Sequence, residues 1–205
     1  MTDTFKDLNG VLLQGHIKIS DPESGEVLID KRNAIHYENM SIALAESLAN
    51  SGKGPIYKMA FGNGGTSVDP TGIITYLTPN STGTNASLYN KTFDKVVDDQ
   101  ASNNTDPVRN KLETRHVSGT NYTDILVSCL LDYGEPSGQD AFDTATNTEN
   151  LYVFDELGLV SAGEDGTDGR LLTHVIFHPV QKSLNRLIQI DYTVRIQSLT
   201  GFNEA

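Results

Sequence analysis

The chain has 205 residues, a formal net charge of −12 and a single cysteine, and 37% of its residues are hydrophobic. This acidic balance argues against nucleic-acid binding, which needs a positive surface to displace counterions. No apolar run approaches about 18 residues, so no membrane span is predicted, and one cysteine excludes an internal disulfide and a cysteine-based zinc site. The length is typical of a single domain, residues 1–205.

We predict that residues 1–15 form an extended N-terminal arm. No secretory signal pattern is visible in this part of the sequence. A β-hairpin follows, because the run GHIKIS alternates apolar and polar residues, DPESG supplies turn residues at Pro22 and Gly25, and VLI returns as a second strand. One helix is then predicted. Asn39 is its expected N-cap, and Ile42 opens an apolar stripe that ends at a stop signal around residue 50.

The middle of the chain is rich in Thr, Ser, Asn, Gly and Pro. After a short strand at residues 56–61, we predict a long loop or arm insertion over residues 66–110, with short strands near residues 73–77 and 93–97. Residues 111–117 predict a further strand. Residues 123–131 are apolar on both faces, which indicates a central strand covered on both sides, and Cys129 within it is expected to be a small buried side chain.

The clearest pattern lies at residues 187–197, where five apolar side chains alternate with polar ones. This period of two predicts a half-buried strand with a fixed register. Residues 171–177 form a second β-rich run, and Pro179, Lys182 and Asn185 between the two runs suit an exposed loop. We therefore expect the two runs to form an antiparallel pair. The fold class predicted is mainly β, an antiparallel β-sandwich, jelly-roll-like, with one packed α-helix and long loops.

Three motifs are candidates for a chemical site, and each has a simpler interpretation. The sequence GNGGT at residues 62–66 lacks the lysine and helix start of a phosphate loop, so a glycine turn with positive dihedrals and close backbone contacts is favoured. His174 and His178 have ligand spacing only on a helix, and on a strand they would share one face about 13 Å apart.

The third motif, Glu164, Asp165 and Asp168, lacks the ligand pattern of a calcium loop and is expected to be a solvated hairpin tip. Glu156 lies between apolar residues, so it is either a buried hydrogen-bond acceptor or a residue exposed at a strand end. No nucleophile elbow or catalytic set is present. The sequence therefore predicts no catalytic, cofactor-binding or metal-binding residues, no cofactor and no enzymatic activity.

Two stretches together resemble a broad group of structural proteins from tailed bacteriophages. They are NAIHYENMSIALAESLAN followed by IYKMAFGNGGT, and FDELGLV followed by LLTHVIFHPVQKSLNRLIQIDYTVRI. The resemblance covers roughly residues 15–66 and 150–197. It implies that residues 61–66 and 156–159 are core and turn elements and not binding residues. It also implies a virion location, with assembly in the host cytoplasm.

The function expected from this resemblance is that of a non-enzymatic virion subunit. Such a subunit would form a symmetric ring or anchor fibres at the neck, tail or baseplate, with partners among its own copies and other virion proteins, and without nucleic acid or membrane. The alternative is a carbohydrate- or receptor-binding sandwich, in which aromatic side chains on loops stack on sugar. The candidates for stacking are Tyr76, Tyr89, Tyr122 and Tyr133.

Overall fold

The structure is a computed structural model, and it describes residues 10–137, 151–164 and 167–199. Its elements confirm the predicted mainly-β class with one helix. In chain order they are β1 (Gly10–Ser20), β2 (Val27–Ile35), α1 (Tyr37–Leu48), β3 (Ile56–Gly62), β4 (Thr66–Val68), β5 (Ile74–Tyr76), β6 (Lys91–Val96), β7 (Lys111–His116), β8 (Tyr122–Leu131), β9 (Leu151–Ala162), β10 (Asp168–Leu171), β11 (Thr173–Ser183) and β12 (Ile188–Leu199).

The strands form one ten-stranded antiparallel sheet that curls into two facing layers, with β4 and β5 as a separate ribbon. The first layer has the order β2-β1-β12-β8-β7. The second has the order β6-β3-β9-β11, with β10 paired to β9. A short pairing of β11 with β2 joins the layers. This arrangement is the predicted sandwich in its coarse form.

Strand β12 confirms the alternation seen in the sequence. Ile188, Ile190, Tyr192 and Val194 are buried, and the intervening polar side chains face outward. β12 pairs with β1 on one side and with β8 on the other, so its backbone groups are satisfied along its length. Aromatic side chains of the second layer belong to the same core, where Phe154 makes an edge-on contact with a neighbouring ring.

The expected pairing of the two C-terminal runs is wrong. β11 pairs with β9 and β2, whereas β12 pairs with β1 and β8. The short connection at residues 184–187 therefore passes from one layer to the other and makes no hairpin. The register of β11 shifts between Ile176 and Val180, around Pro179, which has no N–H to donate to a ladder. Both runs still place their apolar sides in the common core.

The position expected for β8 also differs from the one observed. It is next to the edge strand β7, not central in the sheet. Its inner face is buried as expected, including Cys129, and Leu130 on the other face is buried as well. Leu126 on that outer face is only half-buried and lines a groove, so β8 is not covered on both sides along its whole length.

Helix α1 begins three residues earlier than the sequence suggests. Its N-cap is His36, whose Nδ1 accepts from the backbone N–H of Asn39 at 3.2 Å. Asn39 is buried and donates through Nδ2 to the carbonyl of Leu171 at 2.9 Å. His36 is the one residue between the end of β2 and the start of the helix, and it takes the capping role. The stop signal is confirmed, because Asn50 and Gly52 adopt positive φ angles of 51° and 74°.

Several expected loops and arms have more structure than predicted. Residues 10–15 of the expected N-terminal arm belong to β1, and residues 1–9 lie outside the described residues. The insertion at residues 66–110 contains the β4–β5 ribbon and β6. The predicted β1–β2 hairpin is confirmed, with Gly25 at a φ of 75° in its turn. Among the described residues, no helix has the length and apolarity to cross a membrane.

We predict that Ile190→Ala lowers the free energy of unfolding by about 3 kcal/mol, because it leaves a cavity between β1 and β8. Denaturant unfolding followed by circular dichroism measures this change. The control is Asp191→Ala on the exposed face of the same strand, which should change stability by less than about 0.5 kcal/mol. Equal effects of the two substitutions would contradict the inward orientation of Ile190.

Candidate functional site

Glu156 on β9 is fully buried and is the acceptor at the centre of a polar cluster. Its Oε1 accepts from the backbone N–H groups of Gly64 at 3.1 Å and Asn90 at 2.8 Å. Its Oε2 accepts from the N–H of Tyr89 at 3.0 Å and from Nε2 of His174 at 2.9 Å. Of the two interpretations of Glu156, the buried hydrogen-bond acceptor is therefore confirmed.

Asp155 binds the same glycine turn from the adjacent position. Its Oδ1 accepts from the N–H of Gly65 and its Oδ2 from the N–H of Thr66, both at 2.9 Å, and the Thr66 hydroxyl also donates to Oδ2. Three consecutive amides of the GNGGT turn thus point at two internal carboxylates. A bound phosphate would need the same amide N–H groups. Because these groups already donate to Asp155 and Glu156, the turn binds side chains of the protein itself.

The glycines are required by close approach and not by positive dihedrals. None of Gly62, Gly64 and Gly65 has a positive φ, which corrects that part of the sequence interpretation. A Cβ on Gly64 would lie 2.7 Å from the Asn90 nitrogen, and one on Gly62 would lie 2.5 Å from Oε1 of Glu156. Both distances are shorter than carbon can approach these atoms, so the turn fits against the carboxylate only without side chains.

His174 connects a further segment to the cluster. Its Nδ1 accepts from the backbone N–H of Asn80 at 2.8 Å, so that nitrogen carries no proton and Nε2–H donates to Glu156. The imidazole is therefore neutral in this arrangement, and its ring packs against Tyr89 with the centroids 5.6 Å apart. Both ring nitrogens have partners within the protein.

The two late histidines do not share one face, contrary to the strand expectation. His174 is buried, whereas His178 is exposed with Nδ1 3.3 Å from the Tyr76 hydroxyl. The register shift in β11 lies between them and changes the alternation. Across residues 10–137, 151–164 and 167–199, no group of three or more His, Cys, Asp or Glu side chains is placed to hold a metal ion.

The electrostatics of the cluster favour an ionised Glu156. Burial raises the pKa of this carboxyl, but the hydrogen bonds from His174 and from the amides of Asn90, Tyr89 and Gly64 outweigh burial and hold the pKa below its usual value of 4.5. All four donors stabilise the charged form. The chemical capacity of the site is thus to fix four backbone segments around one carboxylate.

This cluster positions a ribbon, residues 66–77, which we call the hairpin arm and which contacts β11 through β4 and through the Tyr76 hydroxyl. Asp155 holds its first residue, Thr66, and the N–H of Leu77 donates to the carbonyl of Gly65 at 2.9 Å, so both ends of the arm meet at the cluster. Among the described strands, β4 and β5 of the arm pair with each other and with no other strand. Its exposed side chains are apolar at Val68 (61% exposed), Ile73 (63%), Tyr76 (50%) and Leu77 (43%).

The acidic loop after β9 is neutralised by lysines. Glu164 pairs with Lys53, while Asp168 pairs with Lys58 at 2.7 Å and with Lys91 at 3.3 Å. Asp165 lies outside the described residues. Asp168 therefore joins β10 to β3 and β6 through surface ion pairs, and Glu164 pairs with Lys53 in the connection before β3.

The four candidate tyrosines have different surroundings. The ring of Tyr122 is covered by the guanidinium of Arg195, 3.8 Å from its centroid. Tyr133 donates its hydroxyl to Glu23, and Tyr89 donates to the carbonyl of Thr78. Tyr76 lies on the hairpin arm.

One buried residue was placed wrongly by sequence reasoning. Lys182 was expected in an exposed loop, but it is fully buried in β11 and donates from Nζ to the carbonyls of Asp132 and Ser183, both at 2.9 Å. Burial lowers the pKa of this ammonium to about 8. Its polar neighbours in the sequence gave no signal, because both acceptors are backbone carbonyls.

No protein-family model, curated protein or solved structure matches this chain. The description of the site therefore rests on its own geometry.

We predict that Glu156→Gln lowers the free energy of unfolding by about 3 kcal/mol, because the amide nitrogen must face N–H donors that lose their acceptor. Chemical denaturation at pH 7 measures the loss. Glu113→Gln on the exposed edge strand β7 makes the same chemical change and should have an effect of less than about 0.5 kcal/mol. Similar losses in both variants would show that the cluster is not stabilising.

The acid dependence of stability should also change. Because the pKa of Glu156 in the folded protein is below 4.5, the unfolded chain binds the proton first as pH falls through that value. Glu156 therefore stabilises the fold above its unfolded pKa, and this stabilisation is lost as pH falls through its folded pKa. We expect a shallower decline of stability below about pH 4.5 in Glu156→Gln than in the wild type. Parallel declines would contradict a lowered pKa.

Proposed function

We propose that this chain is a non-enzymatic structural subunit that acts by contact, assembling with copies of itself and with neighbouring proteins of a tailed-phage virion. The observation that carries the proposal is the hairpin arm, which is fixed at its base and apolar on its exposed surface. The ring or fibre-anchoring position at the neck, tail or baseplate rests on the resemblance of the two sequence stretches described above.

The first support is the way the buried polar groups are used. Asp155, Glu156 and His174 bond to backbone groups of the turn and of residues 80–90, and His174 also donates to Glu156. Interior groups with shifted ionisation often mark reactive sites. Here the bonds hold loops in fixed positions, which is what a subunit needs in order to present a constant surface.

The second support is the energetics of the arm. A two-stranded ribbon is at best marginally stable in water, and contiguous exposed apolar side chains mark interaction surfaces. The carboxylate cluster fixes where the arm leaves the body, so little orientational freedom is lost when a neighbour covers it. The arm is therefore suited to dock on an adjacent subunit.

The composition of the sheet edges favours association through the hairpin arm over association by pairing of edge strands. The edge strand β6 carries Lys91 and Lys95, and the edge strand β7 carries Lys111 and Glu113. Charged residues on edge strands oppose uncontrolled pairing. When the arm of one subunit binds a different surface of its neighbour, the contact is heterologous. Heterologous contacts close into rings when the rotation between subunits permits.

Binding of a carbohydrate or receptor is the second candidate. It is favoured by the rings of Tyr76 and Tyr89, which are 50% and 44% exposed and belong to the same insertion. Aromatic faces of this kind can stack on sugar rings. A glycan array tests it, with Tyr76→Ala as the variant that should abolish any signal.

We predict that the purified chain self-associates and that Ile73→Glu weakens the association at least about tenfold, because the substitution removes an apolar contact and introduces a charge. Sedimentation equilibrium over a range of concentrations measures this. Thr75→Glu adds the same charge at an exposed position of the same arm and should have a smaller effect. A wild-type chain that stays monomeric throughout would contradict self-assembly.

The virion assignment has its own test. Purified particles of the virus that encodes the chain should contain it in a fixed ratio to the other tail or neck proteins, as measured by quantitative mass spectrometry. Its absence from intact particles would contradict a virion location.

A further inference from the structure

The outer face of the first layer contains a groove of about 530 Å³ that is separate from the carboxylate cluster. Strands β2, β1, β12, β8 and β7 all contribute to it. The lining includes cationic and aromatic side chains, principally Arg32, Arg115, Arg195, His16 and Tyr122. A groove of this volume falls within the range of small-molecule sites, about 300–1,000 Å³.

One of its arginines is held rigidly by an acid. Arg195 makes two hydrogen bonds to Asp124, from Nε to Oδ1 at 2.7 Å and from Nη2 to Oδ2 at 2.9 Å, and its guanidinium carbon lies 3.8 Å from the centroid of the Tyr122 ring. The hydrogen bond from Arg195 lowers the pKa of Asp124, with a smaller contribution from the charge of Arg115. Both oxygens of Asp124 are thus hydrogen-bonded to Arg195, and Arg115 interacts with Asp124 through its charge alone.

Arg32 and Arg115 are exposed, and neither forms an ion pair with any other described residue. Arg115 lies opposite Asp124 in the ladder, and Arg32 lies opposite His16, whose Nε2 is 2.8 Å from Asp30. Opposite charges are the favourable cross-strand neighbours. Arg115 has such a neighbour in Asp124, but Asp124 is already bonded to Arg195 and is the one carboxylate among the described lining residues, against three arginines.

Arg32 and Arg115 lie on opposite sides of the groove. Their strands, β2 and β7, are four strand spacings apart in the layer, about 19 Å at the usual spacing. The planar guanidinium fork matches carboxylate and phosphate groups, so a ligand that contacts both walls needs more than one such group.

We propose that this groove binds a small ligand with two or more carboxylate or phosphate groups, held by Arg32 on one wall and Arg115 on the other, with Arg195 and Tyr122 between them. The ligand supplies negative charge beside Arg32 and Arg115, which form no ion pair with the described side chains of the protein. This inference is independent of the hairpin arm and of assembly.

The charge around the groove limits the size of the ligand. Asp30, Asp191 and Glu113 lie on the same outer face, two residues along their strands from groove residues or beside them. The chain as a whole carries a charge of −12, which repels long polyanions. A short multivalent oxyanion satisfies the arginines without extending over these carboxylates, whereas a nucleic acid strand would cross them.

Isothermal titration calorimetry in a low-salt buffer without oxyanions tests the proposal with four probes: citrate, trigalacturonate, the neutral maltotriose and a single-stranded oligonucleotide. Citrate, trigalacturonate or both should bind, and the binding should weaken as sodium chloride is added. Maltotriose should not bind. Tighter binding of citrate indicates a free small acid as the ligand, and tighter binding of trigalacturonate indicates an acidic saccharide.

Three variants locate the binding. Arg32→Gln and Arg115→Gln should each weaken it at least about tenfold, because each removes a charge-assisted hydrogen bond. Lys18→Gln removes a cation from the same outer face, outside the groove, and should change affinity by less than about twofold. All three positions are exposed, and circular dichroism checks that the variants remain folded.

Two kinds of result would overturn the proposal. The first is no binding of either oxyanion, or a loss in Lys18→Gln as large as that in the arginine variants. The second is an oligonucleotide that binds more tightly than both acids, which would make the groove a nucleic-acid contact.

Discussion

The hydrogen bonding of one buried carboxylate determines much of this structure. Glu156 has no solvent contact, and a charge in that position is tolerated only while its oxygens are fully bonded. The four donors come from the glycine turn, from residues 89 and 90 and from β11. Loss of one donor weakens the stabilisation of the charge for all the others, so these segments are fixed together.

The same hydrogen bonds also fix the position of segments at the protein surface. The turn that Glu156 and Asp155 hold is also the root of the hairpin arm, and the segment at residues 80–90 is held from its other side by His174. Long polar connections would otherwise be free to move. In this protein they are positioned by the interior, and their outer surfaces are available for partners.

Much of the secondary structure could be predicted from the sequence, because alternation and turn residues are local signals. The strand at residues 187–197, the first hairpin and the single helix are of this kind. The partner of a strand is not a local property, and the same alternation fits a hairpin or a crossing between layers, which is why β11 and β12 were paired wrongly. The cluster was only partly predictable: Glu156 between apolar residues was a signal, but its donors are backbone amides far away in the chain. No signal in the sequence indicated the burial of Lys182. None indicated the groove formed by Arg32, Arg115 and Arg195 either, because net charge says nothing about local arrangement.

The place of β12 in the first layer has a consequence for biosynthesis. β12 is the C-terminal strand of the described chain, yet it lies between β1, the first, and β8. Until the ribosome has released that strand, β1 and β8 each lack a neighbour and have an open row of hydrogen-bonding groups. Folding of this layer therefore waits for β12 and depends on contacts of long sequence separation, a topology associated with slow folding and exposure to aggregation.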